Sequence, residues 1–162
     1  MSVKSRQLDR IDLTILATLQ LNARISNVEL AKQVNLSPSP CLDRVKRLEA
    51  EGYIKRYGAI LDAQKLNIGM SAFIQVTLDR TTADIFNQFR DQVVGIREVA
   101  ECHMVAGGFD YLIKLRVTSM DNYRDVLGKV VELPGVSQTH TYVVIEKVKE
   151  DLGLPLLATQ ST

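Results

Sequence analysis

The order of secondary-structure patterns in the second half of the chain is compatible with few folds. Residues 70–79, MSAFIQVTLD, alternate apolar and polar side chains as a half-buried strand does, and residues 82–94 change to the helical period. Two further strand patterns, REVAECHMVAG and FDYLIKLRV, meet at Gly107 and Gly108, which indicates a hairpin turn. A helix capped by Ser119 and a final strand, VSQTHTYVVIEKV, complete the order β-α-β-β-α-β.

This order predicts the α+β sandwich of the ferredoxin-like kind, in which two helices cover one face of a four-stranded antiparallel sheet. One choice of strand parity places Phe73, Cys102, Met104 and Val143 on the uncovered face. An apolar sheet face without helices has to be buried against another surface. We therefore expect a second copy of the chain to cover it, which predicts a homodimer.

The first sixty residues show three short helical patterns instead. The first has apolar residues at helical spacing and polar residues between them. In the second, Ser26 and Glu29 have the spacing of a capping box, and Asn35 suits the left-handed residue that ends a helix. The apolar positions of the first pattern are Leu8, Ile11, Ile15, Leu16 and Leu19, and the polar ones are Asp9, Arg10, Asp12 and Thr14.

The third pattern is the run NLSPSPCLDRVKRLEAEG, residues 35–52. Ser37 is a suitable N-cap, and proline is tolerated in a first helical turn because the N–H groups there have no intrahelical partner. Leu42, Val45 and Leu48 are expected to form the buried stripe, and Gly52 to end the helix. Three helices with so short a link between the second and third predict a helix-turn-helix unit.

In such a unit the third helix enters the DNA major groove. Arg44, Lys46 and Arg47 supply positive charge, and arginine can read guanine through two hydrogen bonds. Residues 1–62 contain ten Lys/Arg and seven Asp/Glu, a net charge of +3, whereas residues 63–162 contain ten and twelve, a net charge of −2. A three-helix packing module with solvated charges stays open as an alternative. The candidate DNA-binding residues are Ser26, Asn27, Ser37, Pro38, Ser39, Pro40, Arg44 and Arg47.

Other classes of protein find little support in the sequence. We expect a cytoplasmic protein, since there is neither a long apolar run nor a secretory signal. Adjacent residues on a strand point to opposite faces, so Cys102 and His103 cannot hold one metal ion together, and we expect neither metal nor cofactor. No motif of a hydrolase, metalloprotease or nucleotide-binding loop is present, so we expect no enzymatic activity.

Two features of the sequence leave alternatives open. Asp110 starts a strand among apolar residues, so its carboxylate is exposed at the turn, held by nearby donors, or used to bind a ligand. The run IKRYGAILD, residues 54–62, predicts a strand that could form half of a small wing. Lys55 and Arg56 on this strand either contact the DNA backbone or face water.

Three stretches at ordered spacing, LDRIDLTILATLQLNARISNVELAKQVNLSPSPCLDRVKRLEAEGYIKRY, ECHMVAGGFDYLIKLRV and LPGVSQTHTYVVIEKVKE, resemble the Lrp/AsnC (feast/famine) family of prokaryotic transcription regulators, from about Leu8 to Pro155. The resemblance implies a winged helix-turn-helix domain and a C-terminal ligand domain through which the chains dimerise. It also implies that dimers associate, often into octamers around which double-stranded DNA can wrap, and that small effectors, mostly amino acids, bind between neighbouring dimers. Such a regulator would be associated with the nucleoid.

The resemblance also implies which residues meet the effector. They are the turn Ala106, Gly107, Gly108 and Phe109, together with Asp110, Met104, Tyr142, Val143 and Val144. The turn reads AGGF, and so lacks a serine hydroxyl and a carboxylate that leucine-responsive members of the family have there. An architectural protein that bends DNA without an effector is therefore the alternative function. A small-molecule-binding or enzymatic sandwich with a helical accessory is a further one.

These patterns divide the chain into four parts. Residues 1–53 form the helix-turn-helix domain, residues 54–69 a strand or hinge linker, and residues 70–149 the ferredoxin-like ligand-binding and oligomerisation domain. Residues 150–162 form a C-terminal tail, in which LGLPLL is expected to pack on a neighbouring subunit.

Overall fold

The chain forms two compact units in the computed structural model, which describes residues 7–150 and 153–156. One unit comprises Met1–Ile60 and Glu150–Thr162, and the other comprises Leu61–Lys149. The linker expected at residues 54–69 is thus divided between the units, and the C-terminal segment belongs with the N-terminal helices. Residues 1–6, 151–152 and 157–162 lie outside the described part of the chain, so the LGLPLL run is described only from Gly153 to Leu156.

The first unit contains three helices: α1 (Arg10–Leu21), α2 (Asn27–Gln33) and α3 (Pro38–Ala50). Asp9 caps α1, and Asp9 and Asp12 form a capping box in which each side chain accepts the other residue's N–H. Ser26 caps α2 as expected, by accepting the N–H of Glu29 at 3.2 Å. Asn35 (φ 54°) and Gly52 (φ 79°) have the left-handed conformation expected after α2 and α3.

The core of the first unit differs from prediction on α3. Leu42 was expected in the buried stripe but is 40% exposed, whereas Cys41 is fully buried. Cys41, Val45 and Leu48 therefore form the stripe, at the spacing i, i+4, i+7 of one helix face. Leu42 lies about 100° further round the helix, because 3.6 residues make one turn. The buried members of this core are Ile15, Leu30, Ala31, Val34, Cys41 and Leu48.

The predicted strand at residues 54–62 does not form. In the described residues every strand belongs to the four-stranded sheet of the second unit, so this extended segment has no neighbouring strand with which to pair. A strand is defined by hydrogen bonds to a neighbour, and alternating side chains alone do not supply one.

The second unit has the predicted order of elements. Its sheet has the order β2-β3-β1-β4 with antiparallel pairs throughout, and the two helices share one core with it. Phe89, in the first of the two helices of this unit, stacks on Tyr111 of the sheet, with ring centroids 4.3 Å apart. The elements are β1 (Met70–Leu78), α4 (Ala83–Val93), β2 (Val99–Met104), β3 (Tyr111–Val117), α5 (Met120–Val131) and β4 (Val136–Val143).

The strand register corrects the predicted composition of the uncovered face. Cys102 lies opposite Ile113, Met104 opposite Tyr111, and Val143 opposite Ala72, and all three partners are buried on the helix-covered side. Directly opposed residues project to the same face, so Cys102, Met104 and Val143 do not belong to the uncovered face. Phe73 does. It is joined there by Lys114 and Tyr142, its own cross-strand partners, and by the neighbouring pair Gln75 and Leu112.

Candidate DNA-binding and effector sites

The turn between α2 and α3 is held by hydrogen bonds that set where α3 begins. The Leu36 N–H donates to the Ala31 carbonyl at 2.9 Å, which closes the end of α2. The Asn27 side-chain amide donates to the Pro38 carbonyl at 2.8 Å and so links the start of α2 to the first turn of α3. Asn27, a candidate DNA-binding residue, thus has a structural role that its sequence position did not reveal.

The first turn of α3 is exposed at each of Ser37, Pro38, Ser39 and Pro40. Ser37 is the N-cap residue, but its hydroxyl makes no capping hydrogen bond. A cap normally accepts the N–H of the second or third helical residue, and the third is Pro40, which has none. Ser39 therefore provides the one backbone N–H among the first three helical residues. This leaves the Ser37 hydroxyl and the Ser39 N–H accessible to an anion at the positive end of the helix.

Arg44 and Arg47, the cations expected to read DNA, are engaged within the protein. One nitrogen of Arg44 lies 2.8 Å from an Asp12 oxygen, and one nitrogen of Arg47 lies 2.6 Å from the other Asp12 oxygen. The Asp12 side chain is 1% exposed, and those of Arg44 and Arg47 are 28% and 26% exposed. Arg44 also contacts Asp9 at 2.7 Å. This cluster clamps α3 to α1.

Asp12 is one of the polar positions that separate the apolar residues of α1 in sequence, yet its side chain is buried. Its buried carboxylate is paired with two guanidinium groups, and pairing is the usual condition for burying a charge. The sequence held one signal: Asp12 lies four residues after Leu8 and three before Ile15, so it falls within the apolar stripe. The Asp12 N–H and the Arg44 guanidinium stabilise the neighbouring carboxylate, and they lower the pKa of Asp9.

Lys46 is the cation of α3 that does face solvent. Ser39, Asp43 and Glu49 are exposed on the same helix. The outer surface of α3 therefore offers hydroxyl, amine and carboxylate groups, and not the arginine cluster that the sequence suggested. Carboxylates near DNA disfavour phosphate but can accept from the cytosine amino group.

The segment after α3 is attached to that helix. The Tyr57 hydroxyl donates to the Glu49 carboxylate at 2.7 Å. Burial and, after it, this hydrogen bond to a carboxylate raise the pKa of Tyr57 to about 12. Lys55 and Arg56, on the same segment, are exposed. Both residues follow the end of α3 closely, so their exposure agrees with either alternative, a contact with the DNA backbone or with water.

The turn between β2 and β3 is a wider loop than a two-residue hairpin. The Val105 N–H donates to the Asp110 carbonyl at 3.0 Å and closes the loop around Ala106, Gly107, Gly108 and Phe109. Neither glycine has a left-handed backbone, and a Cβ atom on either would meet no atom within 4 Å. The conformation of the loop therefore does not require glycine, and the space beside both residues is open.

Asp110 extends the sheet by one residue before the start of β3. Its N–H donates to the Val76 carbonyl at 2.9 Å, and its carboxylate accepts the Leu78 N–H at 2.7 Å. Of the three alternatives for this carboxylate, the structure shows the one in which donors of the protein hold it. One carboxylate oxygen is therefore already engaged before any ligand arrives.

The candidate effector residues do not come together within one chain. Met104 and the loop belong to the β2–β3 edge of the sheet, whereas Tyr142, Val143 and Val144 belong to or follow β4 at the opposite edge. Two strands separate β2 from β4, so these edges are about 14 Å apart at the usual strand spacing. The two groups cannot surround one small molecule in a single copy of the chain.

Metal binding and membrane insertion find no support in the described part of the chain. No group of three His, Cys, Asp or Glu side chains is placed to hold an ion among those residues. The Cys102 thiol packs on the helix-covered core, where burial raises its pKa, while His103 pairs with Glu101 at 3.2 Å. Within residues 7–150 and 153–156, no helix has the length and hydropathy needed to cross a bilayer.

A helix-turn-helix unit followed by a ferredoxin-like sandwich defines a class of two-domain DNA-binding transcription regulator. Residues 8–55 match the family profile described as winged helix-turn-helix DNA-binding, and residues 71–154 match the Lrp/AsnC ligand binding domain. The chain belongs to the Lrp/AsnC family of transcription regulators, as its sequence motifs had indicated.

Relatives support this assignment over nearly the whole chain. The leucine-responsive regulatory proteins of Escherichia coli K12 and Klebsiella pneumoniae are each 51% identical to it over 146 residues, which cover 90% of this chain and 89% of the relative. The structure of transcriptional regulator NMB0573 of Neisseria meningitidis, an L-Met complex, is similar with a TM-score of 0.87 at 38% identity, covering 93% of this chain and 98% of that one. The feast or famine regulatory protein Rv3291c of M. tuberculosis, complexed with L-methionine, has a TM-score of 0.83 at 28% identity and covers 91% and 99%.

Proposed function

We propose that this transcription regulator binds double-stranded DNA through the start and outer surface of α3, and that an amino acid bound between copies of the chain controls its assembly and its affinity for operators. The observation that supports control by an amino acid bound between copies is the separation of the candidate effector residues. Because they lie at opposite edges of one sheet, a pocket that uses both groups needs a second copy. The L-methionine complexes of two similar proteins support an amino acid as the ligand.

For DNA binding we infer a division of labour on α3. Ser37, Ser39 and Lys46 are accessible and would contact phosphates and base edges, with Ser26 at the start of α2 as a further phosphate contact. Arg44 and Arg47 would act mainly by holding α3 against α1, since both guanidinium groups face Asp12. About a quarter of each arginine side chain stays exposed, which would allow a contact with a phosphate at the edge of the DNA interface.

The DNA assignment is tested with Lys46→Ala, and Lys65→Ala, an exposed lysine of the second unit, is the matched control. Operators are first selected from random duplexes, and binding is then measured by fluorescence anisotropy over a range of salt concentrations. Loss of one phosphate contact lowers the salt slope by about 1 and weakens binding by roughly five- to tenfold, similarly on specific and random DNA. Equal behaviour of the two variants would contradict the placement of α3 on DNA.

The effector assignment is tested by screening the twenty amino acids for a rise in melting temperature and a change in assembly mass. A ligand that binds only the folded protein raises its melting temperature. Gly107→Ala and Gly108→Ala are the informative variants, because the added methyl group meets nothing in the same chain. We expect them to fold normally and to lose the response, while Gly58→Ala, which is equally open, should keep it. No response to any amino acid in the unaltered protein would favour the architectural alternative.

We also infer how the chain assembles. Phe73, Leu112 and Tyr142 on the uncovered sheet face support a homodimer, and the pocket between copies would join dimers into larger discs, up to an octamer. Light scattering of the purified protein tests this, and a monomer at micromolar concentration would contradict it. In keeping with the role of its relatives, we place the protein at the cytoplasmic nucleoid, without an enzymatic activity.

A further inference from the structure

The segment Gly153 to Leu156 contacts the DNA-binding unit at one defined residue. The Gln20 side-chain amide donates to the Leu154 carbonyl at 2.9 Å, and the Leu154 N–H donates to the Gln20 amide oxygen at 2.8 Å. Gln20 thus meets the main-chain N–H and C=O of Leu154 as one strand meets the next, with one donor and one acceptor on each side. The two residues are 134 positions apart in sequence.

A groove surrounds this pair of hydrogen bonds. It has a volume of about 350 Å³ and is bounded by Leu8, Leu16 and Leu19 of the N-terminal region, by residues 53–58, and by Leu154 and Leu156. The walls are mainly apolar, and Leu156 is half-buried. Leu154 and Leu156 themselves form part of the wall, and Leu154 is 67% exposed, so the segment is held by the main chain of Leu154 and by the half-buried Leu156. Main-chain hydrogen bonds beside an apolar contact are how proteins bind short extended peptides.

We propose that Gln20 and this groove form a docking site for the chain's own C-terminal segment, which gives the DNA-binding unit a second attachment to the rest of the protein. The ligand-binding unit, residues 61–149, is already joined to the DNA-binding unit by the chain at its beginning. The docked segment also joins the end of the ligand-binding unit that follows Lys149 to the DNA-binding unit. Two attachments restrict the motion of the DNA-binding unit more than one flexible linker does, because closing a second loop removes conformational freedom.

The segment that occupies this site belongs to the same chain and is not a neighbour's tail. β4 ends at Val143, so ten residues bring the chain to Gly153. An extended chain gains up to about 3.3 Å per residue, so this stretch reaches about 30 Å, which is comparable to the diameter of a small domain. The sequence had suggested packing of this leucine-rich run on a neighbouring subunit, and the hydrogen bonds to Gln20 show that a partner exists within one chain.

Hydrogen exchange of the Leu154 amide in the full-length protein, without DNA or amino acid, tests the docking. Gln20→Ala removes both hydrogen bonds and keeps α1 intact, because alanine is the best helix former. We expect the Leu154 amide to exchange at least about fivefold faster, as expected for the loss of a single neutral hydrogen bond. The amides of α1 should stay within about twofold. Leu21→Ala, an 89% exposed neighbour on the same helix, is the control and should leave Leu154 unchanged. Identical Leu154 exchange in all three proteins would overturn the proposal.

Thiol cross-linking identifies the chain that supplies the tail. The double variant Ala23→Cys, Leu154→Cys keeps Gln20 and places both thiols on the walls of the groove. It is treated with a short bis-maleimide, and the single variants serve as controls. A cross-linked peptide within a monomer-sized product supports the proposal, whereas a dimer-sized product would refute the intramolecular attachment. Both experiments use the free protein, so their outcome is independent of whether the proposed DNA and effector sites are correct.

Discussion

Replacement of Asp12 by asparagine should destabilise the DNA-binding unit more than any other single charge change in it. The substitution keeps the shape of the side chain but removes a buried negative charge that faces two guanidinium groups at 2.6 and 2.8 Å. Loss of one partner of a buried ion pair costs about 3–5 kcal/mol. Arg44 and Arg47 keep about a quarter of their exposure and can turn partly to water, so we expect a cost near the lower end, about 3 kcal/mol.

Asp9→Asn is the matched control for this prediction. Asp9 contacts Arg44 as well, at 2.7 Å, but its side chain is 51% exposed. Asparagine caps a helix as well as aspartate does, and an exposed ion pair contributes less than about 1 kcal/mol. Because the protein has two units, one melting curve does not define one free energy. Hydrogen exchange of peptides from α1 and α3 gives the free energy of opening for the DNA-binding unit alone. A cost for Asp12→Asn no greater than that for Asp9→Asn would refute the reasoning.

The same cluster predicts how stability depends on acid. The Asp12 N–H, and then Arg44, lower the pKa of Asp9 from its ordinary value of 3.8, so the folded protein binds a proton there less readily than the unfolded chain does. The contribution of Asp9 is therefore complete above pH 3.8 and is lost as the pH falls through its folded pKa. Asp9→Asn should flatten this part of the stability curve, measured by denaturation between about pH 2 and 6. An unchanged acid limb would contradict the pairing.

Two further substitutions test local geometry. Gly135 has φ 77°, and a Cβ atom there would clash with an Ile85 methyl group, so Gly135→Ala should lower stability by about 2 kcal/mol or more. Gly128→Ala within α5, where an added Cβ atom meets nothing within 4 Å, should instead raise it by about 0.5–1 kcal/mol in urea denaturation. If both alanines had the same effect, the close contact would be wrong. Tyr57 should ionise near pH 12, seen as a late step in the ultraviolet titration that Tyr57→Phe removes, and Tyr57→Phe should free the segment from Glu49 at a cost of about 1 kcal/mol. A late part of the titration that is the same in the unaltered protein and in Tyr57→Phe would contradict the hydrogen bond to Glu49.

The division of labour that we propose for α3 would have a consequence for DNA recognition. A clamp made by Asp12 holds the helix in one orientation even in the absence of DNA, so little ordering is needed when it binds. The outer surface then needs few charges of its own, which agrees with the small net charge of the chain. Avidity between several such helices in one assembly would supply the remaining affinity.

The sequence by itself determined the three helices of the first unit and the order of helices and strands in the second, although it also predicted a strand at residues 54–62 that does not form. Hydrophobic periods of 3.6 and 2 identify a helix or a strand from neighbouring residues alone, and Asn35 and Gly52 mark helix ends because their conformations are local. The order β-α-β-β-α-β then restricted the second unit to one topology, and the family motifs indicated its class.

Only the tertiary structure decided what depends on distant partners. Asp12 is buried because Arg44 and Arg47 arrive from a helix more than thirty residues away, a coincidence that no local pattern encodes. The face on which Cys102 lies required the register of β2 against β3, since a shift by one residue would move it to the other side. The separation of Met104 from Tyr142 follows from the order of strands in the sheet, and hydrogen bonds between strands, not the sequence of either strand alone, establish that order.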